Sequence, residues 1–183
     1  MAYSEFLPTH LNPLAERTCF SQVVYAGAAP GCHTPLLADM FPAVDFVLVD
    51  PVRFDSRLEG HPRVELRRGL FTAEMAAEFA GRDDVLFVSD IRTMPNDDAH
   101  CAADMALQQA WVLQIQPLAC MLKFRLPWAP GGTEYLDGRV FLQPYAQTRS
   151  TESRLIWERG DGQRCWDHTE YEEQMFAWNT GAV

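Results

Sequence analysis

Residues 21–50 read SQVVYAGAAPGCHTPLLADMFPAVDFVLVD, and this stretch decides the fold class of the chain. The apolar run 21–25 is typical of a buried strand, and the small residues of 27–31 predict a tight loop after it. A helical pattern over 34–40 follows, and a second apolar run, 44–50, ends in an acid. This order predicts the first strand, helix and strand of a parallel sheet.

The rest of the chain continues the same alternation. We predict strands at 64–66, 84–90, 119–126, 138–143 and 152–159, and helices within 72–81 and over 98–116 and 169–179. The chain is therefore predicted to fold as an α/β Rossmann-like domain, with a mostly parallel central sheet and helices on both faces. Ligands of such sheets bind beyond the carboxyl ends of the strands.

Length and composition bound the class of protein. The chain has 183 residues, 48% of them hydrophobic, which predicts one compact domain over 1–183 with an N-terminal extension at 1–20. Neither a leader peptide nor a membrane-spanning run is visible, so we expect a soluble cytoplasmic protein with no membrane partner. The five cysteines contain no CxxC pair, and we predict neither a disulfide framework nor a metal site.

The net charge of −10 argues against a polyanionic partner, because phosphate groups are normally bound by a basic surface. We expect any contact with nucleic acid to come from a local basic strip around the candidate catalytic residues. Four arginines would form this strip: Arg92, Arg125, Arg149 and Arg154.

The loop 27–31 reads GAAPG, so its glycine spacing is GxxxG. Dinucleotide enzymes use GxGxxG to seat a pyrophosphate at a helix N-terminus, and its absence argues against a nicotinamide-dependent oxidoreductase. A nucleoside cofactor without phosphate, such as S-adenosylmethionine, needs only a close wall of small residues. Asp50 ends the next strand, where an acid accepts hydrogen bonds from ribose hydroxyls. The alternative is that Gly27, Gly31 and Asp50 are ordinary turn residues.

Lys123 is the only lysine among the 15 lysine and arginine residues. An arginine keeps its proton in proteins, whereas a lysine in apolar surroundings can lose its proton and act as a general base. The neighbourhood of this lysine, CMLKFRLPW over 120–128, is apolar. Lys123 is therefore our candidate general base, and the alternative is a strand-end lysine whose ammonium group reaches the surface.

Asp90 and Glu152 are the candidate partners of this lysine. One ends a predicted strand and the other starts one, and such ends can converge on one cleft although they are far apart in sequence. Two carboxylates beside one amine would orient it and set its charge. Taken singly, each acid also fits a helix cap or a solvated strand end.

Five motifs carry a family resemblance: YAGAAPGCH at 25–33, SDIR at 89–92, LKFRLPW at 122–128, LQPYA at 142–146 and STESRLI at 150–156. With them the chain resembles the poxvirus cap-specific mRNA 2′-O-methyltransferases, which are also poly(A) polymerase regulatory subunits, from about Val24 to Asn179. The resemblance implies a Rossmann-like S-adenosylmethionine-dependent methyltransferase fold. It also implies methyl transfer to the ribose 2′-oxygen of the first nucleotide of capped mRNA. RNA would be the substrate, with a polymerase or capping protein as a further partner, in a host cytoplasm or a virion.

By the same resemblance, Asp90, Lys123 and Glu152 match the aspartate, the base-like lysine and the glutamate of the family's catalytic tetrad. The first lysine of that tetrad has no counterpart, and the nearest cation is Arg17. The resemblance implies that the cofactor site contains Tyr25, Gly27, Ala28, Gly31, His33, Asp50, Leu70, Phe71, Asp90, Ile91 and Arg92.

The resemblance also implies a binding site for capped RNA, formed by Arg125, Trp128, Arg149 and Glu172. In this family two aromatic residues hold the methylated cap guanine and acids bind its edge. Trp128 matches one aromatic and Glu172 one acid, whereas Arg149 and Pro130 stand at the other two positions. A methylated guanine is cationic, so Trp128 can attract it through its ring face.

Two other functions stay open. A catalytically silent RNA-binding or polymerase-accessory subunit on the same fold would agree with the missing first lysine and with the acidic charge. A small-molecule methyltransferase would need no site for a polyanion.

Overall fold

The computed structural model describes residues 20–94, 97–144, 147 and 149–181. The strands of this part of the chain are β1 (Gln22–Ala26), β2 (Asp45–Asp50), β3 (Val64–Arg68), β4 (Val85–Ser89), β5 (Ala119–Phe124), β6 (Gly132–Leu136), β7 (Arg139–Phe141), β8 (Ser153–Glu158) and β9 (Gln163–Asp167). Its α-helices are α1 (Thr34–Met40), α2 (Ala73–Glu78), α3 (Asp98–Ile115) and α4 (His168–Thr180), and a short 3₁₀ helix spans Ser56–Leu58.

Seven strands form one sheet in the order β3-β2-β1-β4-β5-β8-β7. Strands β1 to β5 pair in parallel, β8 runs antiparallel to β5, and β7 runs antiparallel to β8. Because β8 is antiparallel to β5, it begins at the edge of the sheet where the parallel strands end. The reversal brings Glu152, which precedes β8, to the carboxyl ends of β4 and β5.

Apolar side chains cover both faces of the sheet, because successive residues of a strand point to opposite sides. On one face Phe87 of β4 packs in a cluster with Trp111 of α3 and Met175 of α4. On the other face the next residue, Val88, belongs to a cluster that contains Ala38 of α1. The prediction of an α/β fold with a mostly parallel sheet and helices on both faces is therefore confirmed.

A second sheet, in which β6 pairs antiparallel with β9, is not predicted by the sequence. Both strands have five residues, and in β9 only Trp166 is buried. Neither strand shows the apolar alternation by which half-buried strands are recognised, because β6 ends in two consecutive buried residues and the rest of β9 is exposed. The predicted strand 138–143 corresponds to β7, which is limited to Arg139–Phe141.

Two predictions concern the ends and the environment of the chain. Of the predicted N-terminal extension, 1–20, all but Phe20 lies outside the described residues. Among the helices of the described ranges, none is long and apolar enough to cross a membrane.

Candidate active site

Asp90, Lys123 and Glu152 converge at the carboxyl edge of the seven-stranded sheet. Asp90 follows β4, Lys123 lies in β5 and Glu152 precedes β8. Lys123 Nζ lies 3.2 Å from Asp90 Oδ1 and 3.6 Å from Glu152 Oε1. The three side chains are between 15% and 26% exposed, so they are largely enclosed but reachable from solvent. The structure brings together the three residues predicted as catalytic.

Arg154 of β8 joins these three residues in what we term the charged cluster. Its Nη2 donates to Asp90 Oδ1 at 2.9 Å and its Nη1 donates to Glu152 Oε1 at 3.3 Å. These are the same two oxygens that Lys123 Nζ approaches. The sheet register explains the arrangement, because Arg154 lies directly opposite Lys123 in the β5–β8 pair. Sequence reasoning placed Arg154 in a flanking basic strip and missed this contact.

Arg92 lies next to the charged cluster with its side chain only 6% exposed. Its Nε is 3.7 Å from Glu152 Oε2, and its Nη1 is 3.9 Å from Asp104 Oδ2. None of its three side-chain nitrogens has a hydrogen-bond partner among the described residues. A buried guanidinium requires compensating negative charge, and these two carboxylates supply it.

Two buried polar residues of α3 support this region. Asp104 accepts hydrogen bonds from the backbone nitrogen and Oγ1 of Thr93, at 2.8 and 2.7 Å. Gln108 donates from Nε2 to the backbone oxygen of Lys123 at 3.0 Å. Sequence reasoning missed both residues. Their spacing of one helical turn on the buried face of α3 is the signal that could have found them.

The surrounding cations lower the pKa of Glu152 below its ordinary value of 4.5. Burial is the largest single effect and raises this pKa, but the positive charges of Lys123, Arg154 and Arg92 together outweigh it. Glu152 is therefore a carboxylate at neutral pH and can hold a cation in place.

The loop between β1 and α1 approaches the end of β4 closely. Gly27 has φ +79°, and a Cβ there would lie 3.0 Å from the backbone carbon of Asp90 and the backbone nitrogen of Ile91. Gly31 has φ +71°, and a Cβ there would lie 3.0 Å from Cδ1 of Leu58. Both positions require glycine, because the left-handed backbone and the close contacts exclude a side chain. A wall of small residues therefore stands next to Asp90.

Asp50, at the end of β2, holds this loop. Its Oδ2 accepts a hydrogen bond from the backbone nitrogen of Ala29 at 3.0 Å, and its Oδ1 accepts one from the backbone nitrogen of Val52 at 2.8 Å. These bonds agree with the alternative in which Asp50 is a turn residue. Each carboxylate oxygen has a second lone pair, so Asp50 can accept a ribose hydroxyl as well.

The other residues predicted for the cofactor site differ in exposure. Those that are exposed or partly buried are Tyr25, His33, Leu70 and Ile91. Ala28 is buried in the core on the α1 face. Phe71 is buried in the opposite core, where its ring centre lies 4.9 Å from that of Trp111. The Phe71 side chain thus contributes to the core, and the cofactor contacts of all these residues stay predictions.

A pocket of about 320 Å³ lies at the start of the segment that leads into β8. Its lining residues are Trp128, Arg149, Ser150, Thr151, Glu172, Met175 and Phe176. Trp128, Arg149 and Glu172 are among the residues predicted for capped RNA, and the structure brings them together. Sequence reasoning missed Phe176, which is 58% exposed and lies one helical turn after Glu172 on α4.

Arg125, the remaining residue predicted for RNA, is buried and does not line this pocket. Its Nη2 donates to Asp98 Oδ1 at 2.7 Å, and its guanidinium carbon lies 6.0 Å from the centre of the Trp128 ring. The other oxygen of Asp98 accepts a hydrogen bond from the backbone nitrogen of Trp128 at 3.4 Å. Arg125 therefore supports the Trp128 side of the pocket instead of contacting its interior.

One short segment joins the pocket to the charged cluster. Residues 149–151 line the pocket, and the next residue, Glu152, belongs to the cluster. Tyr171 of α4 fixes this segment by donating its hydroxyl to the backbone oxygen of Thr151 at 2.6 Å. Burial raises the pKa of Tyr171, so this hydroxyl stays protonated and can act as a donor. The pocket and the cluster are therefore joined by consecutive residues of one segment.

The predicted basic strip does not form an exposed positive surface. Arg149 is exposed, but Arg125 is buried, and Arg92 and Arg154 both lie against carboxylates. In the part of the chain that the structure describes, no group of three His, Cys, Asp or Glu side chains could hold a metal ion.

The chain is similar in sequence to viral methyltransferases. It is 30% identical over 155 residues to the cap-specific mRNA (nucleoside-2′-O-)-methyltransferase of Myxoma virus (strain Lausanne), a match that covers 74% of this chain and 44% of the relative. It is 26% identical over 185 residues to the protein of the same name from Fowlpox virus (strain NVSL), covering 86% of this chain and 58% of the relative. The chain thus spans about half the length of these curated relatives.

A solved structure and a family model complete the comparison. The structure of bluetongue virus VP4, described as a multifunctional RNA-capping production line, matches 86% of this chain and 29% of its own, with a TM-score of 0.71 and 14% identity. At this identity the match shows a shared fold alone, the α/β arrangement with a mostly parallel sheet. The family model for the poly A polymerase regulatory subunit matches residues 6–182. The chain therefore belongs to the poly(A) polymerase regulatory subunit family.

Proposed function

We propose that the chain is an S-adenosylmethionine-dependent RNA methyltransferase that modifies the ribose 2′-oxygen of the first nucleotide of capped mRNA. One observation carries the proposal. Lys123 Nζ lies within 3.6 Å of two carboxylates, and one of these, Glu152, directly follows the pocket residue Thr151. An amine held by two acids at the carboxyl edge of a parallel sheet is suited to moving a proton to or from a bound substrate.

In this mechanism Lys123 is the general base. The proton of the 2′-hydroxyl moves to Nζ, a lone pair of the hydroxyl oxygen forms the bond to the methyl carbon, and the carbon–sulfur bond breaks with its electrons on sulfur. Lys123 is neutral when it takes the proton. Arg154 keeps Asp90 Oδ1 and Glu152 Oε1 paired with a cation in that state, so neither carboxylate is left as an uncompensated charge.

The cofactor is proposed to bind at the loop 27–31. S-adenosylmethionine supplies an electrophilic methyl group when bound. Gly27 and Gly31 permit close approach of a ligand to the backbone, and the loop lies against Asp90 of the charged cluster. Asp50 offers lone pairs to ribose hydroxyls. These residues fit a cofactor that has no phosphate to bind, and the rest of the predicted cofactor set remains part of the proposal.

The pocket is proposed to hold the methylated guanine of the cap. This base is planar and cationic, and Trp128, which is 43% exposed, offers it a ring face. Phe176 offers a second aromatic side chain, and Glu172 offers a carboxylate to the N–H groups at the edge of the base. Arg149 is suited to the phosphates that follow the base. This chemistry distinguishes a capped RNA end from an uncapped one.

The net charge of −10 limits how RNA is bound. Little affinity is expected from general attraction to phosphates, so binding should depend on the pocket and only weakly on salt. A polymerase or capping partner is the proposed source of further positive surface.

A second candidate function is a catalytically silent RNA-binding or polymerase-accessory subunit. The observation that favours it is the pairing of Lys123 with two acids in the charged cluster. The sequence contains no second lysine. A lysine that stays paired and protonated would serve structure instead of proton transfer.

The test is methyl transfer from radiolabelled S-adenosylmethionine to capped and uncapped RNAs of one sequence. Lys123→Arg keeps the charge and removes the base, so we expect a loss of about 10²- to 10⁴-fold in rate. Cofactor affinity, measured by calorimetry, should not change. Turnover retained in this variant would contradict the lysine mechanism. A wild-type protein that binds the cofactor but labels no RNA would favour the accessory subunit or a small-molecule methyltransferase.

A further inference from the structure

We propose that His168 is a positioning residue that sets the distance between the two walls of the pocket. The inference rests on the proposed function for the identity of the ligand, but the contacts themselves do not depend on it. One wall is Trp128, in the loop that precedes β6, and the other consists of side chains from α4. His168 is the first residue of α4 and is bonded to the loop that carries Trp128.

Three hydrogen bonds connect His168 to the residues after Trp128. Its Nδ1 lies 2.7 Å from the backbone oxygen of Ala129, its Nε2 lies 2.8 Å from Oγ1 of Thr133, and its backbone nitrogen donates to the oxygen of Gly131 at 3.0 Å. A carbonyl oxygen only accepts, so Nδ1 carries a proton and donates to Ala129. In neutral His168, Nε2 then accepts from the hydroxyl of Thr133.

The imidazole is buried, which makes these bonds difficult to replace with water. His168 is 8% exposed, and both ring nitrogens have a partner within hydrogen-bond distance. Removing one partner of a buried hydrogen bond leaves the other polar group unsatisfied. The ring therefore fixes the course of residues 129–133 relative to the first turn of α4.

The same helix carries the opposite wall of the pocket. Glu172, Met175 and Phe176 follow His168 within about two turns of α4, so their positions are tied to that of His168 by a rigid element. Trp128 is held from a second side, because Asp98 of α3 accepts a hydrogen bond from its backbone nitrogen. His168 is thus a side-chain link between the Trp128 loop and the helix that faces it, next to the backbone pairing of Gly132 with Asp167.

The function of this link is to preorganise the pocket for a planar group. A ligand that must fit between two side-chain walls binds best when their spacing is set before it arrives, because no binding free energy is then used to order the loop. Loss of the His168 side-chain bonds should weaken ligand binding without changing the charged cluster, since the partners of its ring nitrogens are Ala129 and Thr133 and not residues of that cluster.

The experiment compares three variants. His168→Phe keeps a ring and removes both side-chain bonds, His168→Asn can keep the bond to Ala129, and Thr133→Val removes only the partner of Nε2. The probe is the capped dinucleotide 7-methylguanosine-triphosphate-guanosine, titrated by calorimetry. We expect the dissociation constant to rise by about tenfold or more in His168→Phe, with partial rescue in His168→Asn and a small rise in Thr133→Val. With capped RNA, KM should rise in the same order, while kcat at saturating RNA stays within about twofold.

A ligand-free measurement separates this inference from the proposed function. Hydrogen exchange of the peptide 128–133 should be faster in His168→Phe than in the wild type, while exchange of β5 should be unchanged. The positioning role would be overturned if the His168→Phe variant folds and either the hydrogen exchange of 128–133 or the affinity for the dinucleotide is the same as in the wild type. If the wild type does not bind the dinucleotide at all, the proposed function fails, and the exchange result alone decides whether His168 positions the loop.

Discussion

Arg154 donates from Nη2 to Asp90 Oδ1 at 2.9 Å, and this is the oxygen that lies 3.2 Å from Nζ of Lys123. The lysine and the arginine thus share an acid across the β5–β8 pair. The carboxylate does not lose its compensating charge when one of the two cations becomes neutral or moves. In the proposed mechanism, this second cation keeps the shared carboxylate compensated when Lys123 gives up its charge.

The first prediction concerns this shared acid. Arg154→Gln removes the second cation, and we expect methyl transfer in a single turnover to slow by about tenfold or more. Arg154→Lys keeps the charge but cannot donate in two directions from a planar group. Its rate should therefore lie between those of the wild type and Arg154→Gln. Arg139→Gln is the control, because Arg139 is 69% exposed and pairs only with Glu158 among the described residues. An Arg154→Gln enzyme as fast as the control would contradict the role of the shared acid.

The second prediction concerns the pH dependence of stability. The pKa of Glu152 is lower in the folded protein than its ordinary value of 4.5, so its carboxylate stabilises the fold above that pH. This contribution is lost as the pH falls through the lowered folded-state pKa. Thermal unfolding of the wild type and Glu152→Gln should therefore differ most near neutral pH, and the two Tm values should converge as the pH falls below 4.5. A difference in Tm that does not change with pH would show that the cations around Glu152 do not act through its charge.

The third prediction uses two glycines with nearly the same backbone conformation. Gly27 has φ +79° and Gly81 has φ +77°, but only at Gly27 would a Cβ meet other atoms, the backbone of Asp90 and Ile91. Gly81→Ala should cost about 1–2 kcal/mol from backbone strain alone. Gly27→Ala should cost more in urea denaturation and should also weaken S-adenosylmethionine binding, which Gly81→Ala should leave unchanged. Equal losses for the two variants would mean that the loop does not need its close approach to β4.

The fourth prediction concerns the aromatic residue of the pocket that sequence reasoning missed. Phe176→Ala should raise the dissociation constant for a capped dinucleotide by about tenfold, because a stacking partner and its apolar surface are lost. Phe141→Ala is the matched control, since Phe141 is also exposed but lies in β7 and does not line the pocket. Binding that is as weak in the control as in Phe176→Ala would place the cap elsewhere.

Much of the fold could be predicted because its signals are local. The apolar run 44–50 ends in an acid, and this acid ends β2 in the structure. The loop 27–31 consists of small residues and forms the turn after β1. The rule that the carboxyl ends of parallel strands share one edge led to the grouping of Asp90 with Lys123. Glu152 starts its strand, so this rule alone does not place it there, and the family resemblance linked it to the other two. That grouping required no knowledge of distances.

The parts that could not be predicted depend on pairing between distant segments. Nothing in the local sequence states that β8 runs antiparallel to β5, and the place of Arg154 opposite Lys123 follows from that register alone. The pocket likewise combines the loop of Trp128 with a helix that begins at residue 168. Asp104 and Gln108 are a different case. Helical spacing places both on the buried face of α3, but polar residues are ordinarily expected at the surface.

The segment 149–152 has one more consequence. Thr151 and Glu152 are consecutive, so their Cα atoms are about 3.8 Å apart, and no hinge can lengthen that step. In the proposed function, this covalent link between consecutive residues keeps the cap pocket and the charged cluster in a fixed relative position. The nucleotide to be methylated would then be selected by its distance from the cap, independently of the identity of its base. A transcript whose cap stood one phosphate further from its first ribose would bind in the same pocket and present the wrong atom to Lys123.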